Sequence, residues 1–135
     1  MSEANRHQDN FSRALANLEA YRDKPESFDI LTLTGFIGLY EICFEQSWKA
    51  MKEALDNQGV TEAKTGSPRM ILKQAYKTGL IKDEHAWLQA LQARNEVAHS
   101  YSEDVAHAIV NQTRTSFLDL FEELEATLKS WNDTL

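Results

Sequence analysis

The chain has 135 residues, 26% of them charged, and a formal net charge of −7. That length suits one domain with a sizeable core, and the acidic balance counts against a broad nucleic-acid-binding surface. Any RNA contact must then be local, or built by bringing two chains together.

Cys43 is the single cysteine, so an internal disulfide is excluded and a reducing cytoplasm is expected. The start, Met1-Ser2-Glu3-Ala4-Asn5-Arg6, has no apolar region of the signal-peptide kind. The richest apolar run, 30–44, is broken by Thr32, Thr34, Gly35, Gly38 and Glu41, and no membrane span is expected.

Two prolines and five glycines in the whole chain point to long helices. The first is expected from about Gln8 to Tyr21, with Phe11, Ala14, Leu15 and Leu18 on one face. Pro25 ends that region. Asp29 is placed to cap the second helix, which runs to about Gln58 with a stripe of Leu33, Ile37, Tyr40, Phe44, Trp48, Met51 and Leu55. Phe36, Leu39 and Cys43 widen that stripe, so this helix is expected to be central or covered by a second subunit. Gly59 suits its C-terminal stop.

A polar loop, 60–66, leads to Ser67-Pro68, a cap followed by a first-turn proline. The short helix that follows is expected to turn Met70, Ile71, Ala75 and Tyr76 inward and to close at Gly79. Asp83 caps the next helix, Glu84 to about His99. The last starts near Ser102-Glu103-Asp104 and runs towards Asn132 on Ile109, Phe117, Leu120, Phe121, Leu124, Leu128 and Trp131. The expectation is an all-α, antiparallel four-helix bundle with an additional short helix. It forms one domain over 1–135, with about seven N-terminal and about four C-terminal residues flexible.

The stretch Arg94-Asn95-Glu96-Val97-Ala98-His99-Ser100-Tyr101 interrupts the fourth helix with polar groups. At about 100° per residue, Trp87, Leu88, Leu91 and Ala98 share one sector. Arg94 and Asn95 fall inside it and His99 lies at its rim, while Ala86, Ala90, Ala93 and Val97 form a small-residue flank. Arginine offers a planar fork of donors to a phosphate, and an imidazole exchanges protons near neutral pH. Such a pair suits metal-independent RNA cleavage, with Asn95 orienting either group. In a regular helix Arg94 and His99 diverge, so convergence needs a bend or a second chain. The plain alternative is a structural ion pair or cap.

The longer pattern, Arg94-Asn95 with His99 and Tyr101, resembles the signature of the HEPN superfamily, and specifically its HepT-like branch. Phe44-Glu45-Gln46-Ser47-Trp48-Lys49 in helix two is similar to the F-E-x-x-W-K segment of nucleotidyltransferase substrate-binding proteins. Ser67-Pro68 and Trp87-Leu88 also fit, and the resemblance runs from about Phe11 to Leu128. It implies a homodimer in which the R-x4-H residues of two chains line a shared cleft. It also implies a ribonuclease toxin encoded beside a small nucleotidyltransferase antitoxin. In that reading Arg94, Asn95 and His99 are catalytic, and Tyr101 receives adenylate from ATP used by the antitoxin. A charged nucleotide at Tyr101 would block RNA. The protein itself is expected to need no cofactor and no metal, and to bind neither membrane nor DNA. Some relatives are known only as binding subunits of a nucleotidyltransferase, which is the alternative function. A third is a helical interaction protein whose motif only builds the dimer.

Other features carry less. Glu41 and Glu45 are one turn apart but lack a Glu-x-x-His partner, so Glu45 is expected to pair with Lys49 rather than hold a metal. His7, His85 and His107 show no ligand spacing and are expected at the surface. Gly35 and Gly38 lack the context of a phosphate loop and are expected to permit close helix packing, as at a dimer interface. Trp48 and Trp87 are expected in the core, and Glu122-Glu123-Glu125 on a solvated face.

Overall fold

Four helices of this chain begin where a short polar side chain takes up an orphan backbone N–H. The computed structural model describes residues 5–24, 29–60 and 66–133, and every regular element among them is helical. They are α1 (Arg6–Glu19), α2 (Ile30–Asn57), α3 (Pro68–Lys77), α4 (Glu84–Ser100), α5 (Glu103–Gln112) and α6 (Leu118–Asp133). The Asp29 carboxylate accepts from the N–H of Thr32 at 2.7 Å, and that of Asp83 from Ala86 at 3.0 Å. Ser67 and Ser102 cap α3 and α5 in the same way, through Met70 and Val105. Gly59 and Gly79 follow α2 and α3 with φ of 81° and 83°, a region costly for any residue with a Cβ. The expected roles of Pro25, of most of the 60–66 loop and of the outermost terminal residues lie outside the described residues.

α1 starts earlier than the apolar pattern suggests. Glu53 of α2 accepts from the backbone N–H groups of both His7 and Gln8, which draws the first turn of α1 onto α2. Asn132 of α6 donates to the Gln8 side chain at 2.7 Å.

The chain after Ser102 is not one regular helix. Thr113–Phe117 form a π-turn between α5 and α6. The Thr113 and Thr115 hydroxyls donate back to the carbonyls of Ile109 and Asn111, competing with the normal ladder. The extra residue sends Arg114 across to the carbonyls of Tyr21 and Lys24, closing the end of α1.

α2 is the central element: α1, α3, α4, α5 and α6 all pack on it. Tyr40, Cys43, Phe44, Met51 and Leu55 are fully buried. Phe121 of α6 sits among Phe11, Tyr40 and Trp87, with ring centroids at 6.2, 6.2 and 5.6 Å. Trp48 is only half-buried, unlike Trp87.

Two expectations about packing are corrected. Met70 and Tyr76 are 50% and 49% exposed, not inward. α3 instead buries Ile71, Leu72 and Ala75, a line continued by Leu80 and Ile81 after the Gly79 turn. Nor do Gly35 and Gly38 admit a helix of the same chain, since a Cβ at either would meet nothing within 4 Å.

Candidate functional site

The rotation of α4 decides how the polar stretch is presented. Its buried face is Ala86, Trp87, Ala90, Leu91 and Ala93. The core therefore meets the small-residue flank together with Trp87 and Leu91, while Leu88 is only half-buried and Ala98 is exposed. The reason is a close approach by α2: the buried Tyr40 hydroxyl donates to the Ala90 carbonyl at 2.5 Å. Alanines on that flank leave room for the ring. Burial, chiefly, pushes the Tyr40 phenol well above its usual range, so it remains a donor. The expectation that Arg94 and Asn95 fall in the core-facing sector is corrected: Arg94 lies at the rim, and Asn95 and Ala98 are exposed.

Arg94 is held rather than free. Its guanidinium forms an ion pair with Glu45 of α2, and it donates to the Asn95 side-chain oxygen at 3.2 Å. The other Glu45 oxygen accepts from the Trp48 indole at 3.0 Å, so this carboxylate is fixed at both oxygens. The expected Glu45–Lys49 pair is thus replaced by a partner 49 positions away. Glu45 is the site residue that helical spacing missed. The signal was in the F-E-x-x-W-K segment, whose Glu and Trp lie one turn apart and join here.

His99 lies exposed in the last turn of α4 and makes no hydrogen bond among the described residues. Tyr101 ends the helix, 45% exposed, with its hydroxyl 3.5 Å from the Thr34 hydroxyl of α2. Five residues on a helix separate Arg94 and His99 by about 140° and about 7.5 Å of rise. Within one chain, Arg94, Asn95 and Glu45 come together, while His99 and Tyr101 stand at the open end of α4. Among the described residues, no three His, Cys, Asp or Glu side chains form a group able to hold a metal. No described helix is long and apolar enough to cross a membrane.

The family model described as nucleotidyltransferase substrate binding protein like matches residues 6–130. The chain belongs to this family. Over 82 residues it is 30% identical to a Haemophilus influenzae protein named Probable ribonuclease HepT. That match covers 59% of this chain and 56% of the relative, so it spans little more than half the relative's length. The fold is shared with a solved protein of Thermus thermophilus, with a TM-score of 0.77, 25% identity, and coverage of 88% of this chain and 98% of that one. A Haemophilus influenzae structure, described as revealing the fold of a substrate binding domain of a nucleotidyltransferase, matches with a TM-score of 0.75 and 25% identity. Coverage there is 90% of this chain and 98% of the other.

Proposed function

We propose that this HepT-like protein is a metal-independent endoribonuclease, the toxin of a pair whose antitoxin is a small nucleotidyltransferase. The observation that carries this is the end of α4: a guanidinium fixed by Glu45 and Asn95, followed by an exposed imidazole with no hydrogen-bond partner among the described residues. His99 takes the proton from a ribose 2′-hydroxyl as its oxygen attacks the adjacent phosphorus. The bond to the 5′-oxygen breaks, and that oxygen collects a proton from solvent or from a second imidazole. Arg94 stabilises the charge that develops on the phosphoryl oxygens, and Asn95 orients it.

Arg94 and His99 point apart on one helix, so the complete site takes Arg94 from one chain and His99 from another. The outer side of α2 supports a homodimer. Leu31 and Ile42 are 79% and 54% exposed, with the open Gly35 and Gly38 between them. Tyr101 is the adenylate acceptor; its exposed hydroxyl lies two residues from His99, where a bound nucleotide would obstruct RNA. ATP serves the partner, not this chain.

The test is incubation of purified, unmodified protein with cellular RNA in EDTA, beside His99→Ala. Intact mass confirms a free Tyr101 in both. Cleavage by the wild type alone, with equal melting temperatures, is the expected result. The family's own description favours a second reading, a non-catalytic subunit that presents substrate to a nucleotidyltransferase. Absence of cleavage by either form, with saturable binding to that enzyme, would favour it.

A further inference from the structure

An acidic RNA-cutting protein must hold its substrate somewhere, and the charge on this chain is unevenly distributed. The ten residues of α3 include Arg69, Lys73 and Lys77 and no carboxylate. All three cations are exposed, beside the half-exposed Met70 and Tyr76. Among the described residues, neither Arg69 nor Lys73 has an ion-pair partner. In a chain with 21 Asp and Glu against 14 Lys and Arg, this is a local inversion of sign.

Beside α3 an open groove of about 320 Å³ runs along α4. Arg69 and His85 line it with the amides of Gln89, Gln92 and Asn95, over a floor that includes Leu88. No carboxylate among the described residues lines it. From His85 to Asn95 the helix rises about 15 Å. One end is Asn95, which accepts from Arg94. Past His85, at the other end, the next cleft sets Asp83, Glu84 and Glu123 against Lys82 alone, a net negative lining that disfavours a phosphate chain.

We propose that the groove between α3 and α4 is a track for single-stranded RNA that ends at Arg94 and Asn95. Arg69 in the groove and Lys73, one turn along α3 from it, hold phosphates. The Gln89 and Gln92 amides meet base edges, Gln92 exchanging its 3.5 Å contact with Glu96 for a base. The inference rests on the ribonuclease reading for its destination, but binding in the track is separate from chemistry. Amides carry both donors and acceptors, as base edges require. Exposed apolar surface between cations is the usual floor for unpaired bases. An acidic protein partner would match the cations but gives the row of amides no role.

The experiment uses a fluorescein-labelled 2′-O-methyl oligouridylate, which lacks the attacking hydroxyl and cannot be cut by this route. Anisotropy is read across a salt series for wild type, for Arg69→Gln/Lys73→Gln, and for a control with the same charge change elsewhere, Arg13→Gln/Lys129→Gln. The track variant is expected to bind about tenfold more weakly, with the slope of log K against log salt reduced by about 1.4, or about 0.7 for each lost contact. The control should bind as wild type does. Equal binding by track variant and wild type overturns the proposal, as does a wild type that does not bind. Loss of nucleotidyltransferase binding with RNA binding unchanged would also overturn it and assign the surface to a protein. RNA binding lost in the track variant, with no cleavage of ordinary RNA by any form, would leave the track standing and remove the ribonuclease. Cleavage that ignores Arg69 and Lys73 would do the reverse.

Discussion

Glu45 holds Arg94 of the candidate site in place. It is about as buried as its partner, 28% and 33% of the two side chains remaining exposed, so solvent screens the pair and its worth to stability is under about 1 kcal/mol. Its larger effect is on placement. Glu45→Ala frees Arg94 to sample rotamers away from the phosphate. We expect RNA cleavage to fall at least about tenfold while the melting temperature drops by no more than about 4 °C. Parallel rate and melting measurements separate the two. Of the candidate site, the residue types and their spacing stand in the sequence itself, because Arg94, Asn95, His99 and Tyr101 are close in the chain. The Glu45–Arg94 pair was not, since local spacing offers Lys49 first and nothing local reports a partner on another helix.

Glu19 of α1 and Glu122 of α6 meet at the seam between these helices. Glu19 is pushed up to about 7, first by sharing a hydrogen bond with Glu122, then by burial and by the charges of Glu122 and Glu125, against Arg22. Glu122 is lowered by the same bond and by Arg22, 2.7 Å away. The two shifts describe one proton held between two carboxyls, resting on Glu19 while Glu122 stays ionised beside Arg22. The folded state binds this proton more tightly than an unfolded chain with the usual value of 4.5. Its stabilisation is therefore full at low pH and is lost as pH rises from about 4.5 through about 7. Glu122 works the other way, contributing above 4.5 and losing that contribution as pH falls. Glu19→Gln keeps a donor and removes the titration, so thermal melts across this window should lose most of their slope.

Tyr40 supplies a buried hydrogen bond across the α2–α4 contact. Tyr40→Phe leaves the Ala90 carbonyl without its buried hydroxyl partner and should cost about 1–2 kcal/mol in urea unfolding. Caps and stops were the legible part of the elements: Asp29, Ser67, Asp83, Gly59 and Gly79 all act through neighbours in sequence. The rotation of α4 was not, because it answers to Tyr40 on another helix; nor was the π-turn, whose local Thr113 and Thr115 back-bonds are joined by Arg114 reaching the distant Tyr21 and Lys24 carbonyls.

Across the whole molecule, an aromatic cluster from α1, α2, α4 and α6 fixes where the end of α4 stands relative to α2. Phe121→Ala removes its centre and should cost about 3–5 kcal/mol in the same unfolding measurement. The all-helical class was readable because apolar periodicity is repeated along every long helix. Which helix faces remain uncovered was not, and the outer side of α2 is the clearest case.

The proposed ribonuclease site is shared between two chains. Its most direct test is to unfold, mix and refold Arg94→Ala and His99→Ala proteins, each inactive alone, and to assay RNA cleavage in EDTA. A shared site predicts that mixed dimers regain one intact Arg94–His99 pair, so the mixture recovers about a quarter of wild-type activity: half of the dimers are mixed, with one of two sites intact in each. Wild-type cleavage with no recovery in the mixture, when mixed dimers are verified by mass, would contradict it.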